Sequence, residues 1–124
     1  MLRWGDSGKP PALLVHGTGF VTDVWDEVAR ELASTYTVYA LDRRGHGASH
    51  IGDARGNPFT SLAAIDCPVR ATTAAKSGPI YKEMASRAVS LIPFVSTLTF
   101  DGAGHCVAQE APAAVVKAVC RFAE

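Results

Sequence analysis

The sequence predicts an α/β fold: a small, doubly wound, mostly parallel sheet of four strands with helices on its faces. Three observations carry this. Short apolar or β-branched runs alternate with longer stretches of helical periodicity. Glycine-containing loops directly follow three of those runs, as loops do at the carboxyl edge of parallel strands. The chain has 124 residues, 48% hydrophobic and 19% charged, which suits one core and a single domain over 1–124 rather than two domains or a disordered chain.

Each element has its own signal. Pro11 to His16 reads as a buried strand near 12–16 that ends in His16-Gly17-Thr18-Gly19. Residues 23–34 set Val24, Val28 and Leu32 on one helical stripe with Trp25 and Ala29 beside it, and Thr22 or Asp23 can cap that helix. Residues 36–41 are β-branched and aromatic, a second strand that ends in Asp42-Arg43-Arg44-Gly45-His46-Gly47-Ala48-Ser49. From about 50 to 64, Gly52, Gly56, Asn57 and Pro58 break any period, so an irregular connection is expected, with a helical turn or two at Ser61 to Ile65. A third strand is expected near 68–73. A helix near 78–91 follows, with Ser77 as its cap, Pro79 in its first turn, and Ile80, Met84, Ala88 and Leu91 on one face. A fourth strand near 95–100 runs into Asp101-Gly102-Ala103-Gly104-His105. The last helix, near 111–123, starts at Pro112 and turns Val115, Val116, Val119 and Phe122 inward.

Composition excludes several classes of function. Twelve basic residues balance twelve acidic ones, so no excess of positive charge is available to neutralise phosphates and no nucleic-acid partner is expected. No apolar run reaches bilayer length and no long apolar stretch opens the chain, so no membrane partner is expected and the expected location is cytoplasmic. Cys67, Cys106 and Cys120 are odd in number and form no C-x-x-C pair, which suggests neither a disulfide framework nor a structural zinc site. His46 and His50 lie near Asp42 and Asp53, but Gly45 and Gly47 argue against the helix that would align them. No metal and no other cofactor is expected.

Read in order, His16-Gly17-Thr18-Gly19, then Trp25, then Leu41-Asp42-Arg43-Arg44-Gly45-His46-Gly47-Ala48-Ser49, resemble the α/β-hydrolase family. Ile65-Asp66-Cys67-Pro68-Val69 resembles that family's late strand entry. Asp101-Gly102-Ala103-Gly104-His105 with Glu110-Ala111-Pro112 resembles the loop that carries its catalytic histidine and the helix beyond. The resemblance implies hydrolysis of an ester or similar acyl bond in a small-molecule substrate. It implies an oxyanion and substrate-binding loop at His16, Gly17, Thr18 and Gly19, with backbone N–H donors at Thr18 and Gly19, and a catalytic base at His105.

The sequence also departs from the family. It has no G-x-S-x-G nucleophile elbow. Between Ser49 and Ile65, where the family carries that elbow, further strands and usually a cap, this chain has a short irregular connection. The loop that would carry the acid reads Ala74-Ala75-Lys76-Ser77-Gly78, with no carboxylate. Nucleophile and acid are therefore unidentified, the triad is incomplete, and activity is expected to be weak or absent. With the centre missing, the first and third strands would pair, giving the order 2-1-3-4. One sheet face would be thinly covered, which favours homo-oligomers.

The bland readings of the other candidates are turn, cap and packing roles. Ser49 reads as a turn residue, Ser77 as a helix cap, and Cys106 as a packed thiol pointing away from His105. Two further functions stay open. Gly17 and Gly19 ahead of a helix, with Asp42 ending the next strand, fit a nucleotide-binding Rossmann-like module, although Asp23 would place negative charge where the phosphates sit. The chain could also be a non-catalytic binding module or a fragment.

Overall fold

The computed structural model describes residues 1–17, 19–43, 45–49 and 62–123. Its elements are β1 (Leu2–Trp4), β2 (Pro11–Val15), α1 (Asp26–Leu32), β3 (Thr37–Leu41), β4 (Val69–Ala74), α2 (Pro79–Leu91), β5 (Val95–Phe100), α3 (Val107–Glu110) and α4 (Pro112–Ala123). Short 3-10 turns cover Thr22–Trp25 and Leu62–Ala64. Contacts gather the chain into two compact units, Met1–Ala54 with Ala111–Glu124, and Arg55–Glu110.

The first unit holds a sheet in the order β1-β3-β2. β2 and β3 run parallel, with Pro11 opposite Thr37 and Val15 opposite Leu41. α1 crosses between them and packs on α4. The stripe expected on α1 is the one that buries. Val28, Ala29 and Leu32 meet Val38 and Ala40 of β3, all at most 1% exposed. Burial contributes roughly 1.5–3 kcal/mol for each of the larger side chains. The cap expected from Thr22 or Asp23 is absent: Val21 precedes the 3-10 turn and no side chain caps it locally. The Thr22 N–H donates instead to Asp42 Oδ1 at 2.8 Å. β1 has no counterpart in the sequence reading, since three residues are too short for an alternation to register. It pairs antiparallel with β3, Leu2 opposite Ala40, and the Trp4 indole donates to Asp26 Oδ1 at 3.3 Å.

In the second unit β4 and β5 form a parallel pair, in register from Val69 opposite Val95 to Ala74 opposite Phe100, with α2 as the crossover. Its core is thin: Ala74 and Ala103 are its only buried hydrophobic side chains among the described residues. The α2 face expected to pack inward does not. Ile80, Met84 and Leu91 are exposed, and Ala85, Ser86 and Val89 line the side toward the sheet. The sheet face there carries Ala71, Thr73, Thr97 and Thr99, and small groups on both sides leave a cavity of about 560 Å³.

The α/β class and both parallel pairs stand, and each strand lies within a residue or two of its expected place. The single four-stranded sheet in the order 2-1-3-4 is corrected: strand pairing gives two sheets, one of three strands and one of two. The reason is local. Each parallel pair is closed by its own helix, α1 or α2, whereas the connection between the pairs offers no crossover helix in its sequence. Most of that connection, 50–61, lies outside the described residues.

Candidate functional site

β2 ends at Val15, and the next side chain, His16, turns into the core of the first unit at 2% exposure. Its Nδ1–H donates to the Gly17 carbonyl at 2.8 Å, and its Nε2 accepts the Arg43 N–H at 2.9 Å. The second bond requires a bare Nε2 and fixes the tautomer. Asp42 Oδ1 lies 3.8 Å from Nε2, beyond hydrogen-bond reach. His16 thus bolts the loop after β2 to the loop after β3, with neither ring nitrogen left for substrate.

Asp42 is the second bolt. Oδ1 accepts the Thr22 N–H and Oδ2 accepts the Ala48 N–H at 3.2 Å. These donors, Thr22 first, hold the carboxyl below the usual carboxylate range. Gly47 makes room for it: a Cβ there would clash with Oδ2, and its φ of +54° already disfavours a side chain. Ser49 Oγ donates to the Asp42 carbonyl at 2.7 Å, which is the turn role expected of it. Each oxygen of the Asp42 carboxylate already accepts one backbone N–H.

Of the donors implied for an oxyanion, Thr18 lies outside the described residues, as do Arg44 and His50. The Gly19 N–H donates to His46 Nε2 at 3.2 Å. The His46 ring lies 5.1 Å from that of His16, centroid to centroid. A ligand oxygen at Gly19 would have to displace the His46 imidazole.

His105 belongs to the second unit. β5 ends at Phe100, and Ala103 tucks inward while its carbonyl accepts the Lys76 N–H at 3.1 Å. The Ala75 N–H donates to the Phe100 carbonyl at 3.1 Å, so the exits of β4 and β5 are tied together. His105 is exposed, and its ring stacks on Tyr81 with centroids 3.8 Å apart and planes 26° apart. Among the described residues no carboxylate hydrogen-bonds the imidazole. The Glu110 carboxylate bonds the chain on either side of it: Oε2 accepts the Gly104 N–H at 2.7 Å and Oε1 the Cys106 N–H at 3.2 Å.

Ser77 does not cap α2. Gly78 occupies that position with no side-chain bond, and Pro79 opens the helix. All three cysteines are free thiols. Among the described residues no group of three or more His, Cys, Asp or Glu is placed to hold a metal ion. No described helix is long and apolar enough to cross a membrane. The cavity beside α2 is lined by neither His105 nor Tyr81.

The profile of the Alpha/beta hydrolase family matches residues 12–80, more than half of the chain. The chain belongs to the α/β-hydrolase family. Within this hydrolase-family chain, a stretch of 44 residues is 48% identical to the uncharacterized hydrolase YraK of Bacillus subtilis. That stretch is 36% of this chain and 16% of the length of YraK. A crystal structure described as a predicted CIB-like hydrolase from Thermoplasma acidophilum matches at a TM-score of 0.76 and 17% identity, over 94% of this chain and 87% of that one, and so shares the fold. Against this hydrolase background, the sequence reading placed Glu110 in the motif of the histidine loop without giving it a role, and it missed Tyr81. Glu110 carried a signal, because a four-residue turn after Cys106 brings its carboxylate back over the N–H groups behind it. Tyr81 carried none, because its contact with His105 crosses between α2 and the loop after β5.

Proposed function

We propose that this chain hydrolyses an ester or similar acyl bond of a small molecule, slowly, with His105 moving the proton and without a cofactor. Family membership supports the reaction class. The single observation that carries the assignment to His105 is its exposed imidazole, held flat on Tyr81 in the loop after β5. The slow rate follows from what the sequence lacks. It has no G-x-S-x-G elbow, and Ser49 spends its hydroxyl on the Asp42 carbonyl. With no serine assigned as nucleophile, water takes that role. His105 takes a proton from water as its oxygen bonds to the acyl carbon, the bond to the alcohol oxygen breaks, and the alcohol leaves with that proton. The residual rate of triads that lose one member comes from the oxyanion hole and from binding, and here the Gly19 N–H is already bonded to His46, which keeps the expected turnover slow.

The test is hydrolysis of p-nitrophenyl acetate by the wild type, His105→Ala and Ser49→Ala, with mass spectrometry of the quenched proteins. The expected result is slow turnover in the wild type and Ser49→Ala, loss in His105→Ala, and no acylated protein. A burst with one acyl group per chain, removed by Ser49→Ala, would overturn the incomplete triad. Equal rates in all three proteins would overturn the role of His105 and favour a non-catalytic binding module. One observation favours that second reading: the Gly19 N–H is already satisfied by His46.

A further inference from the structure

The geometry points to Tyr81 and Glu110 as the two positioning residues of His105, Tyr81 setting the plane of the imidazole and Glu110 setting the backbone that carries it. The inference rests on the reading of His105 as the proton shuttle.

An exposed side chain on a loop has rotamer freedom in χ1 and χ2, and its backbone has freedom in φ and ψ. Both sets are constrained here. The peptides before and after His105 point their N–H groups at one carboxylate, Gly104 at Oε2 and Cys106 at Oε1 of Glu110. Charge-assisted bonds of this kind are the stronger class. The carboxylate is itself held, because the Gln109 and Glu110 N–H groups both donate back to the Cys106 carbonyl at 3.0 Å. Gly104 is part of the fit: a Cβ there would stand 2.8 Å from Glu110 Oε1. The ring is fixed from the other side. Tyr81 lies in the first turn of α2, where its N–H donates to the Gly78 carbonyl at 3.1 Å. The next residue pins that turn, Lys82 Nζ donating to the Ala75 carbonyl at 2.8 Å. The stack covers one face of the imidazole, and His105 as a whole stays exposed, as a proton shuttle requires. The Glu110 carboxylate bonds the backbone on either side of His105 and not its ring, so its effect reaches the imidazole through the chain.

A purely structural reading would make Glu110 a cap of α3 and Tyr81 a surface contact. The two readings separate by NMR of the full chain. A ring stacked on tyrosine shifts its own carbon-bound protons upfield, so the His105 ring protons report the stack directly. The expected result is an upfield pair in the wild type, retained in Tyr81→Phe, lost in Tyr81→Leu and reduced in Glu110→Gln, with amide shifts of β4 and β5 unchanged in every variant. A glutamine carbonyl accepts one of the two N–H groups and turns an NH2 toward the other. Ordinary shifts for the His105 ring in the wild type would overturn the role of Tyr81. Unchanged ring shifts in Glu110→Gln, with lost protection of α3 amides, would overturn the role of Glu110 and leave it a cap. If turnover is present, kcat falls about ten- to a hundredfold in Tyr81→Leu and Glu110→Gln with KM unchanged, and Tyr81→Phe restores what Tyr81→Leu loses. No turnover in any protein would overturn the proposed reaction, while the ring shifts would still decide the positioning.

Discussion

At the scale of single residues, the side chains that look most chemical in the first unit are committed to backbone. His16 uses both ring nitrogens on Gly17 and Arg43, and each Asp42 oxygen accepts a backbone N–H, from Thr22 or Ala48. The motif at 42–49 therefore encodes a shape: an acid that gathers two loops, a glycine that lets it approach, and a serine that closes the turn. Asp42→Asn tests this. The carboxyl of Asp42 is held below its ordinary 3.8 by the Thr22 and Ala48 N–H groups, so the stabilisation it gives is present above 3.8 and is lost as pH falls through the lower folded value. The expected outcome is a lower urea midpoint for Asp42→Asn at pH 7, with a gap to the wild type that closes in strong acid. A gap of constant size across that range would mean that the charge plays no part. Residue type and order made these positions visible in the sequence. Their task was hidden, since nothing in the spacing says that Asp42 reaches back to Thr22.

At the scale of elements, periodicity located helices well and their packed faces less well. α1 shows one apolar stripe, and that stripe is buried. α2 shows a stripe at Ile80, Met84 and Leu91 that is exposed, while Ala85 and Val89 line the cavity beside Ala71 and Thr97 instead. Hydrophobic pattern names a face but not the surface it meets. β1 was invisible for its length, and the division into two sheets for a further reason: parallel pairing joins distant segments, and alternation within a strand does not name its neighbour. The difference between the helices has a measurable consequence. Leu32 is 1% exposed and Met84 is 49% exposed. Leu32→Ala leaves a cavity and is expected to cost about 2–5 kcal/mol in urea unfolding. Met84→Ala is expected to stay within about 0.5 kcal/mol of the wild type. A cost at Met84 as large as that at Leu32 would show that α2 is covered in solution.

At the scale of the whole molecule, two properties act in the same direction. The formal net charge is zero, so self-repulsion is weak near neutral pH. The order β1-β3-β2 leaves β2 at the edge of its sheet, and its sequence Pro-Ala-Leu-Leu-Val carries no charge. Leu13 is 58% exposed and Val15 is 46% exposed. Natural edge strands are usually blunted by a lysine, a bulge, a proline or a cover, and within its own five residues β2 has Pro11, at its first position. We propose that copies of the chain associate through this edge. Sedimentation velocity over a concentration series at pH 7 should show a reversible increase in mass for the wild type. Leu13→Lys places a charge on the edge and should hold the chain monomeric at the same concentrations. Association that persists unchanged in Leu13→Lys would place the contact elsewhere, and the exposed Ile80 and Met84 of α2 would be the next surface to charge.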